Sequence, residues 1–200
     1  MSEEDNGTLP APFQIYEFKH ALFSMHSDKA PRSDGLNLAF YKRFWHLCGV
    51  ELFHAGVNWL NSGNFPSHIM DTNIFLIPKK DNPESMRDFH PISLCNVIYE
   101  IISKVLANRL KPFLSKCISQ EQFASVENRS IIDNVMVAYE IVHHLKCKRK
   151  GKKGEVALKI DISKAYDRVN WDYLKNVMRR MVFHDRWVKW MSMCMDSVNY

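Results

Sequence analysis

The sequence predicts an α+β fold in which helices outnumber strands. Of 200 residues, 46% are hydrophobic and 24% charged, with only seven glycines and eight prolines, as is typical of a globular chain. Apolar residues recur mainly at helical spacing, and the few strand-like runs lie far apart in the sequence. Helices and strands therefore do not alternate as in βαβ units, and we expect a mostly helical domain with a few short strands.

The first 71 residues predict a tail and two helices. Residues 1–11 are polar and predict a tail. The stretch "PFQIYEFKHALFSMH" places Ile15, Phe18 and Leu22 at helical spacing, which predicts an amphipathic helix. After a loop rich in turn-forming residues, a second helix is expected from about Leu38 to Leu60.

The middle of the chain predicts a strand, a basic loop and the clearest amphipathic helix. The strand is expected from Asn73 to Ile77, where Pro78 ends it. From Asn96 onward, apolar residues share one helix face, and Pro112 is expected to end or kink that helix. The residues of this face are Ile98, Ile101, Ile102, Val105, Leu106 and Leu110.

The last third predicts two more helices around a strand. One helix is expected from Asp133 to Lys146, followed by the basic run 146–153. The alternating run "VALKIDI", Val156 to Ile162, predicts a strand. Asn170 is a suitable N-cap for a final helix.

Charge is distributed unevenly along the chain. Residues 1–71 hold five Lys/Arg and eight Asp/Glu, whereas residues 72–200 hold 22 and 14. A basic body favours a polyanionic partner such as nucleic acid, although many other proteins share this balance.

Cysteines and hydropathy exclude several classes of protein. Five cysteines without a C-x-x-C pair argue against a disulfide framework or zinc module. The acidic start is not typical of a signal peptide, and no run of eighteen uncharged apolar residues occurs. We therefore expect an intracellular protein, in the nucleus or the cytoplasm.

Asp161 is the first candidate for chemistry. A carboxylate in an apolar strand must be exposed, paired or given a cation, because an unpaired buried charge is very costly. It is either a strand-end aspartate that caps the next turn or a magnesium ligand for phosphoryl transfer. On an extended chain Asp167 would lie about 20 Å away, so these two acids do not form a two-metal site by themselves.

The basic residues also allow two interpretations each. Lys79, Lys80 and Arg87 lie around one predicted loop and either bind phosphates or face solvent. The run 146–153 has six Lys/Arg in eight residues, which indicates a flexible turn at the end of a hairpin, a nuclear localisation signal or a contact to a nucleic-acid backbone.

Other candidates are assigned to the surface or the core. His143 and His144 are consecutive on a predicted helix, point apart and are expected at the surface. The tryptophans Trp171, Trp187 and Trp190 are expected to pack a helix. A P-loop is absent, and Ser163 stands where an aspartate-nucleophile phosphatase would have its second aspartate.

Five segments together resemble the reverse transcriptase of non-LTR retrotransposons, the long interspersed type common in plant genomes. They are "DKAPRSDGLNLAFYKRFW", "TNIFLIPKK" with "FHPISLCNVIYEIISKVLANRLK", "QEQFASVENRSIIDNVMVAYEIVHH", "LKIDISKAYDRVNWDYL" and "MSMCMDSVNY". The resemblance extends from about Pro12 to Tyr200 and keeps the order of the segments.

The resemblance implies the fingers and an incomplete palm of a right-hand polymerase. It divides the chain into a polar tail (1–11), a helical N-terminal extension (12–71), fingers (72–154) and part of a palm (155–200). The implied partners are an RNA template, a DNA primer and a deoxynucleoside triphosphate, with Mg²⁺ as cofactor.

The resemblance also assigns roles to residues. Asp161 would be the first metal ligand and catalytic carboxylate, with Ile162 beside it and Tyr166 under the incoming sugar. The residues implied near the nucleotide are Lys79, Lys80, Arg87 and His90, where Arg87 would partly replace the family's arginine at position 90. The residues implied in the template-facing segment are Gln122 and Arg129.

Two expectations follow for activity. Without the paired aspartates and thumb of the family, the 200 residues alone are expected not to polymerise nucleotides. The alternative is a non-catalytic remnant that binds nucleic acid through its basic fingers.

Overall fold

The computed structural model describes residues 3–27, 35–123, 126–148, 154–162, 165 and 168–196. Its helices are α1 (Glu3–Thr8), α2 (Ile15–Ser24), α3 (Leu38–Arg43), α4 (Trp45–Ser62), α5 (Ser67–Met70), α6 (Val97–Cys117), α7 (Ile131–Cys147), α8 (Trp171–Arg180) and α9 (Asp185–Asp196). Its strands are β1 (Asn73–Pro78) and β2 (Phe89–Leu94), which form one two-stranded sheet. The predicted mostly helical α+β fold is confirmed.

The core lies among helices α2, α4, α6, α8 and α9. Phe18, Trp187 and Trp190 are the largest side chains in it, and each is at most 1% exposed. The indole Nε1 of Trp190 donates a hydrogen bond of 2.9 Å to the carbonyl oxygen of Leu60, which satisfies its polar atom within the apolar core. The prediction that Trp187 and Trp190 pack a helix is therefore confirmed, whereas Trp171 is 40% exposed.

The N-terminal residues pack on the body of the protein. The tail expected at the start is instead the helix α1, and Leu9 behind it is buried. The Asp5 carboxylate lies 2.7 Å from the Lys116 ammonium on α6. An apolar anchor and an ion pair thus attach a segment whose composition alone predicts a tail.

The helix expected from Leu38 to Leu60 is broken at Phe44. Asn37 caps α3 by accepting from the backbone N–H of Phe40 at 3.0 Å. Phe44, with φ −103° and ψ 18°, ends α3 and precedes α4, so the chain changes direction there. The predicted start at Leu38 is the observed start of α3, and the predicted end at Leu60 lies two residues before the observed end of α4. Gly63 closes α4 in the left-handed conformation that glycine favours.

Helix α6 begins where the sequence predicts. The Asn96 side chain accepts from the backbone N–H of Ile98 at 2.9 Å. Five residues of its apolar face are buried: Val97, Ile101, Ile102, Val105 and Leu106. Pro112 does not end the helix, which continues to Cys117.

Helices α7 and α8 also begin close to their predicted starts. Ser130 caps α7 by accepting from Ile132 N–H at 3.2 Å, and Asn170 caps α8 by accepting from Tyr173 N–H at 2.8 Å. Helix α7 has no buried residue, because it does not lie in the helical core. None of the helices in the described part of the chain has the length and apolar character needed to cross a membrane.

The strand predicted at Val156–Ile162 is wrong. Residues 154–162 have no regular secondary structure and are exposed. The four apolar members of the alternating run, Val156, Leu158, Ile160 and Ile162, are between 60% and 90% exposed. A strand requires a hydrogen-bonded neighbour, and no described strand pairs with this segment.

Candidate nucleic-acid interface

A turn that contains three Lys/Arg residues connects the two strands of the sheet. Strands β1 and β2 are antiparallel, with Asn73 opposite Leu94 and Pro78 opposite Phe89. We call residues 79–88 the hairpin tip. It carries three cations, Lys79, Lys80 and Arg87, but also three acids, Asp81, Glu84 and Asp88, so its formal charge is zero. The number of lysines therefore overstates its attraction for phosphate.

Asp88 organises the hairpin tip. Its Oδ2 accepts from the backbone N–H groups of Glu84 at 2.9 Å and Ser85 at 3.0 Å, and the Lys80 ammonium lies 3.1 Å away. These bonds, the Glu84 N–H first and Lys80 next, lower the pKa of the Asp88 carboxyl from its ordinary 3.8. The carboxylate thus closes the loop and neutralises Lys80.

Lys79 also contributes to the conformation of the hairpin tip. Its backbone N–H donates to the carbonyl oxygen of Asp88 at 2.7 Å, and its Nζ donates to the carbonyl oxygen of Arg87 at 3.1 Å. The Arg87 side chain is exposed and forms no hydrogen bond or ion pair with a described residue. Of the three predicted cations, Arg87 is the one whose side chain bonds to no described residue.

His90 lies on the hairpin below the tip. It is exposed and faces Ile77 across the sheet, in register with Phe75 and Ile92 on the same face. Apolar side chains on both faces of the hairpin are exposed by 36% to 54%: Ile74, Phe75, Leu76, Ile77 and Ile92. The hairpin therefore extends from the core with apolar faces and a polar tip.

Arg129 shapes the loop between α6 and α7. Its guanidinium donates to the carbonyl oxygens of Ser119 at 2.5 Å, Gln122 at 2.6 Å and Ile118 at 3.4 Å. Gln122 and Arg129 are thus brought together. The bonds run from the Arg129 side chain to backbone oxygens, so they fix the fold of the loop around the exposed Gln122.

Asp161 is not bonded to any of these groups. It and Ile162 lie exposed in the irregular segment 154–162, and Asp161 forms no hydrogen bond or ion pair with a described residue. Tyr166 and Asp167 lie outside the described residues. Among those described, no group of three His, Cys, Asp or Glu side chains could hold a metal ion.

Glu155 lies against the C-terminal end of α7. Its carboxylate forms an ion pair with Lys148 and lies 3.2 Å from the Nε2 atom of His144. The hydrogen bond from Lys148 is the main cause that lowers the pKa of the Glu155 carboxyl. His143 and His144 are exposed, as predicted, and residues 149–153 lie outside the described part of the chain.

The sequence reasoning missed Asp88. A signal was present, because "SMRD" matches the Ser-x-x-Asp pattern in which an acidic side chain bonds back to the start of a helical turn. The structure has that capping box at the 3-10 turn Met86–Asp88. The lysines of this loop do not by themselves indicate that Asp88 restrains Lys80.

Comparison with known proteins shows one family model that matches the part of the chain holding most of the residues described above. A family model described as reverse transcriptase (RNA-dependent DNA polymerase) matches residues 77–200, from the end of β1 through α9. This range holds the hairpin tip, the Arg129 loop and Asp161.

Two curated proteins are similar to the chain. The transposon TX1 uncharacterized 149 kDa protein of Xenopus laevis is 27% identical over 206 residues, covering 100% of this chain and 16% of that protein. The retrovirus-related Pol polyprotein from type-1 retrotransposable element R2 of Popillia japonica is 22% identical over 152 residues, covering 76% of this chain and 20% of that protein. The chain thus spans a fifth or less of each relative, and because both organisms are animals, the plant type stays a prediction.

Proposed function

The chain belongs to the reverse transcriptase (RNA-dependent DNA polymerase) family, and from that premise we propose that it supplies the fingers and the first palm segment of a retrotransposon polymerase. Residues 72–154 would be the fingers, residues 155–200 the palm segment and residues 12–71 a helical extension. The observation that carries the proposal is the family match over residues 77–200. An RNA template, a DNA primer and a deoxynucleoside triphosphate are the proposed partners, in the nucleus or the cytoplasm.

The fingers would bind phosphates through the hairpin. Lys79, Lys80, Arg87 and His90 are the proposed nucleotide-side residues. His90 replaces an arginine of the family and is shorter, without the planar fork that binds a phosphate with two N–H groups. The exposed, uncommitted guanidinium of Arg87, three residues earlier, supports its role as the replacement.

The other proposed residues lie on the template side and at the reaction centre. The segment around Gln122, held in shape by Arg129, would face the template. Asp161, Ile162 and Tyr166 would lie near the incoming nucleotide.

A metal site is not assembled from the described residues. A carboxylate such as Asp161 suits Mg²⁺, which prefers oxygen ligands, but one carboxylate is too few to hold the ion. We therefore propose Asp161 as one of the several ligands that a Mg²⁺ site would need, and we assign no chemical step to this chain's own residues.

The proposal is tested by binding of a fluorescent RNA–DNA hybrid, measured by anisotropy at several salt concentrations. Binding should weaken steeply with salt because lysines and arginines displace counterions from phosphates. Asp161→Ala should leave the affinity unchanged when Mg²⁺ is absent. Salt-independent binding, or none, would contradict the proposal.

A second candidate function is non-catalytic binding of nucleic acid. The isolated position of Asp161 among the described residues favours it. Primer extension with Mg²⁺ tests the second candidate: extension that disappears in Asp161→Ala would contradict it, whereas binding without extension by this 200-residue chain agrees with both candidates.

A further inference from the structure

We propose that Asp88 keeps Lys80 from contacting phosphate, so that Arg87 is the cation of the hairpin tip most available to bind a phosphate of nucleic acid or nucleotide. Asp88 would thereby set how many phosphates the hairpin tip contacts. This inference rests on the proposed function and refines it, because the sequence assigns the same phosphate-binding role to all three cations.

The geometry of Asp88 gives the first argument. Its Oδ2 accepts from two backbone N–H groups, at 2.9 and 3.0 Å, before Lys80 is counted. The carboxylate is therefore fixed by the loop itself, and its side chain is only 22% exposed. A fixed and partly shielded anion restrains a neighbouring ammonium better than a mobile surface acid does.

The surroundings of the three cations give the second argument. Lys80 lies 3.1 Å from Asp88, and Lys79 donates to a backbone oxygen of the same loop at 3.1 Å. Arg87 is exposed and has no bonded partner among the described residues. An arriving phosphate must break an ion pair to recruit Lys80, whereas Arg87 needs only to release water.

The test is the salt dependence of binding to the RNA–DNA hybrid in variants of the full chain. Each phosphate contact contributes about 0.7 to 0.9 to the slope of log K against log salt. Asp88→Asn keeps an oxygen acceptor for the loop but removes the charge, so Lys80 is released and the slope should steepen by about that amount. Arg87→Gln should make the slope shallower by the same amount and weaken binding roughly twofold to fivefold.

Asp81→Asn is the matched control. Asp81 lies in the same loop and its substitution changes the net charge equally, but it bonds to no described residue. We expect its slope to equal that of the unaltered chain. A slope that steepens equally in Asp81→Asn and Asp88→Asn would overturn the inference, since net charge would then explain both.

A double variant separates release of Lys80 from damage to the loop. Asp88→Asn combined with Lys80→Gln should return the slope to the unaltered value, which a disordered tip would not do. A double variant as steep as Asp88→Asn alone would overturn the inference. Absence of salt-dependent binding by the unaltered chain would instead overturn the proposed function itself, and the inference with it.

Competition with deoxythymidine triphosphate identifies the source of the phosphate. If Arg87 contacts the nucleotide, the triphosphate should reduce the slope of the unaltered chain but not that of Arg87→Gln. If Arg87 contacts the nucleic-acid backbone, the triphosphate should leave the difference between these two slopes unchanged. Both results support the inference and differ only in the ligand.

Discussion

Arg109 joins the N-terminal segment to helix α6. Its guanidinium makes a two-pronged contact with the Glu17 carboxylate at 2.6 and 2.8 Å, and it donates to backbone oxygens of Leu9 and Ala11 at 3.0 and 2.6 Å. It also lies 3.8 Å from the centre of the Phe13 ring. A planar donor with five N–H groups can serve carboxylate, backbone and aromatic face together, which an ammonium cannot.

Removal of this arginine should therefore destabilise the protein. Both side chains of the pair are largely buried, at 11% and 16% exposure, so Arg109→Ala leaves Glu17 buried without its partner. We expect a loss of about 3 kcal/mol in the free energy of unfolding, measured by urea titration. Arg179→Ala, which removes an exposed arginine whose side chain bonds to Asn176 of its own helix, should cost less than about 0.5 kcal/mol. Equal losses would contradict the role of Arg109.

Arg129 is expected to act through the loop that it holds. With Arg129→Lys, one ammonium cannot replace donors to three carbonyl oxygens, so residues 118–130 should become more sensitive to limited proteolysis. The salt slope of nucleic-acid binding should stay unchanged, because the guanidinium bonds to the protein itself. A slope shallower by about 0.7 to 0.9 would show a direct phosphate contact instead.

Burial protects one thiol from reaction. Burial raises the pKa of Cys194 to about 11 from the ordinary 9.0. At pH 8 its thiolate fraction is then about a hundredfold lower than that of an ordinary thiol, and the thiolate is the reactive form. Iodoacetamide should label the exposed Cys147 well before Cys194, as read by mass spectrometry, and the labelling rate of Cys194 should rise as the pH approaches 11. Equal rates at pH 8 would contradict this assignment.

Helices α2 and α4 approach closely at Gly56. A Cβ atom at this position would lie 2.7 Å from Cε1 of Phe18, whose ring is fully buried and packs edge-on against Phe53. The absence of a side chain is thus what allows Phe18 to reach α4. Glycine costs helix stability, and here the packing of the aromatic ring offsets that cost.

Gly56→Ala should consequently destabilise the protein despite the better helix propensity of alanine. Overpacking costs about 1–3 kcal/mol, and the gain in propensity returns at most about 1 kcal/mol. Gly7→Ala in α1, where a Cβ would meet nothing within 4 Å, should be neutral or stabilising. Thermal melts compare the two, and a rise of the melting temperature for Gly56→Ala would contradict the close approach.

Elements were predictable from sequence where their cause is local. Asn96 and Asn170 mark helix starts because an N-cap needs only its own next few residues. The break at Phe44 and the continuation past Pro112 were not predicted, and no local sequence signal marks either of them. The run from Val156 to Ile162 has the alternation of a strand, but strand formation depends on a neighbour that its own residues do not specify. The sequence also predicts Lys79, Lys80 and Arg87 around one loop, where the structure has them, whereas the restraint of Lys80 by Asp88 depends on how that loop closes.

On the scale of the whole molecule, helices α6 and α7 differ in how many of their side chains are buried. Helix α6 contributes five fully or nearly fully buried residues to the core, whereas no residue of α7 is buried. A helix of 17 residues receives little stability from its own hydrogen bonds in water, and most helices depend on a packed apolar face. Eight large apolar residues of α7 are exposed by 46% to 69%: Ile131, Ile132, Val135, Met136, Val137, Tyr139, Ile141 and Val142. The stability of α7 must therefore be lower than that of the core.

Hydrogen exchange should reveal this difference directly. Amides of α6 should exchange only when the whole core unfolds, and those of α7 should exchange through local opening that needs far less free energy. Adding moderate urea should then accelerate exchange in peptides from 97–111 strongly while leaving peptides from 131–147 almost unaffected, because local opening exposes little new surface. Equal protection in both helices would mean that α7 is covered in solution by a contact that the described residues do not include. If α7 exchanges fast in the free chain, the same comparison with the RNA–DNA hybrid bound shows whether nucleic acid covers this helix, since protection of 131–147 would then increase on binding.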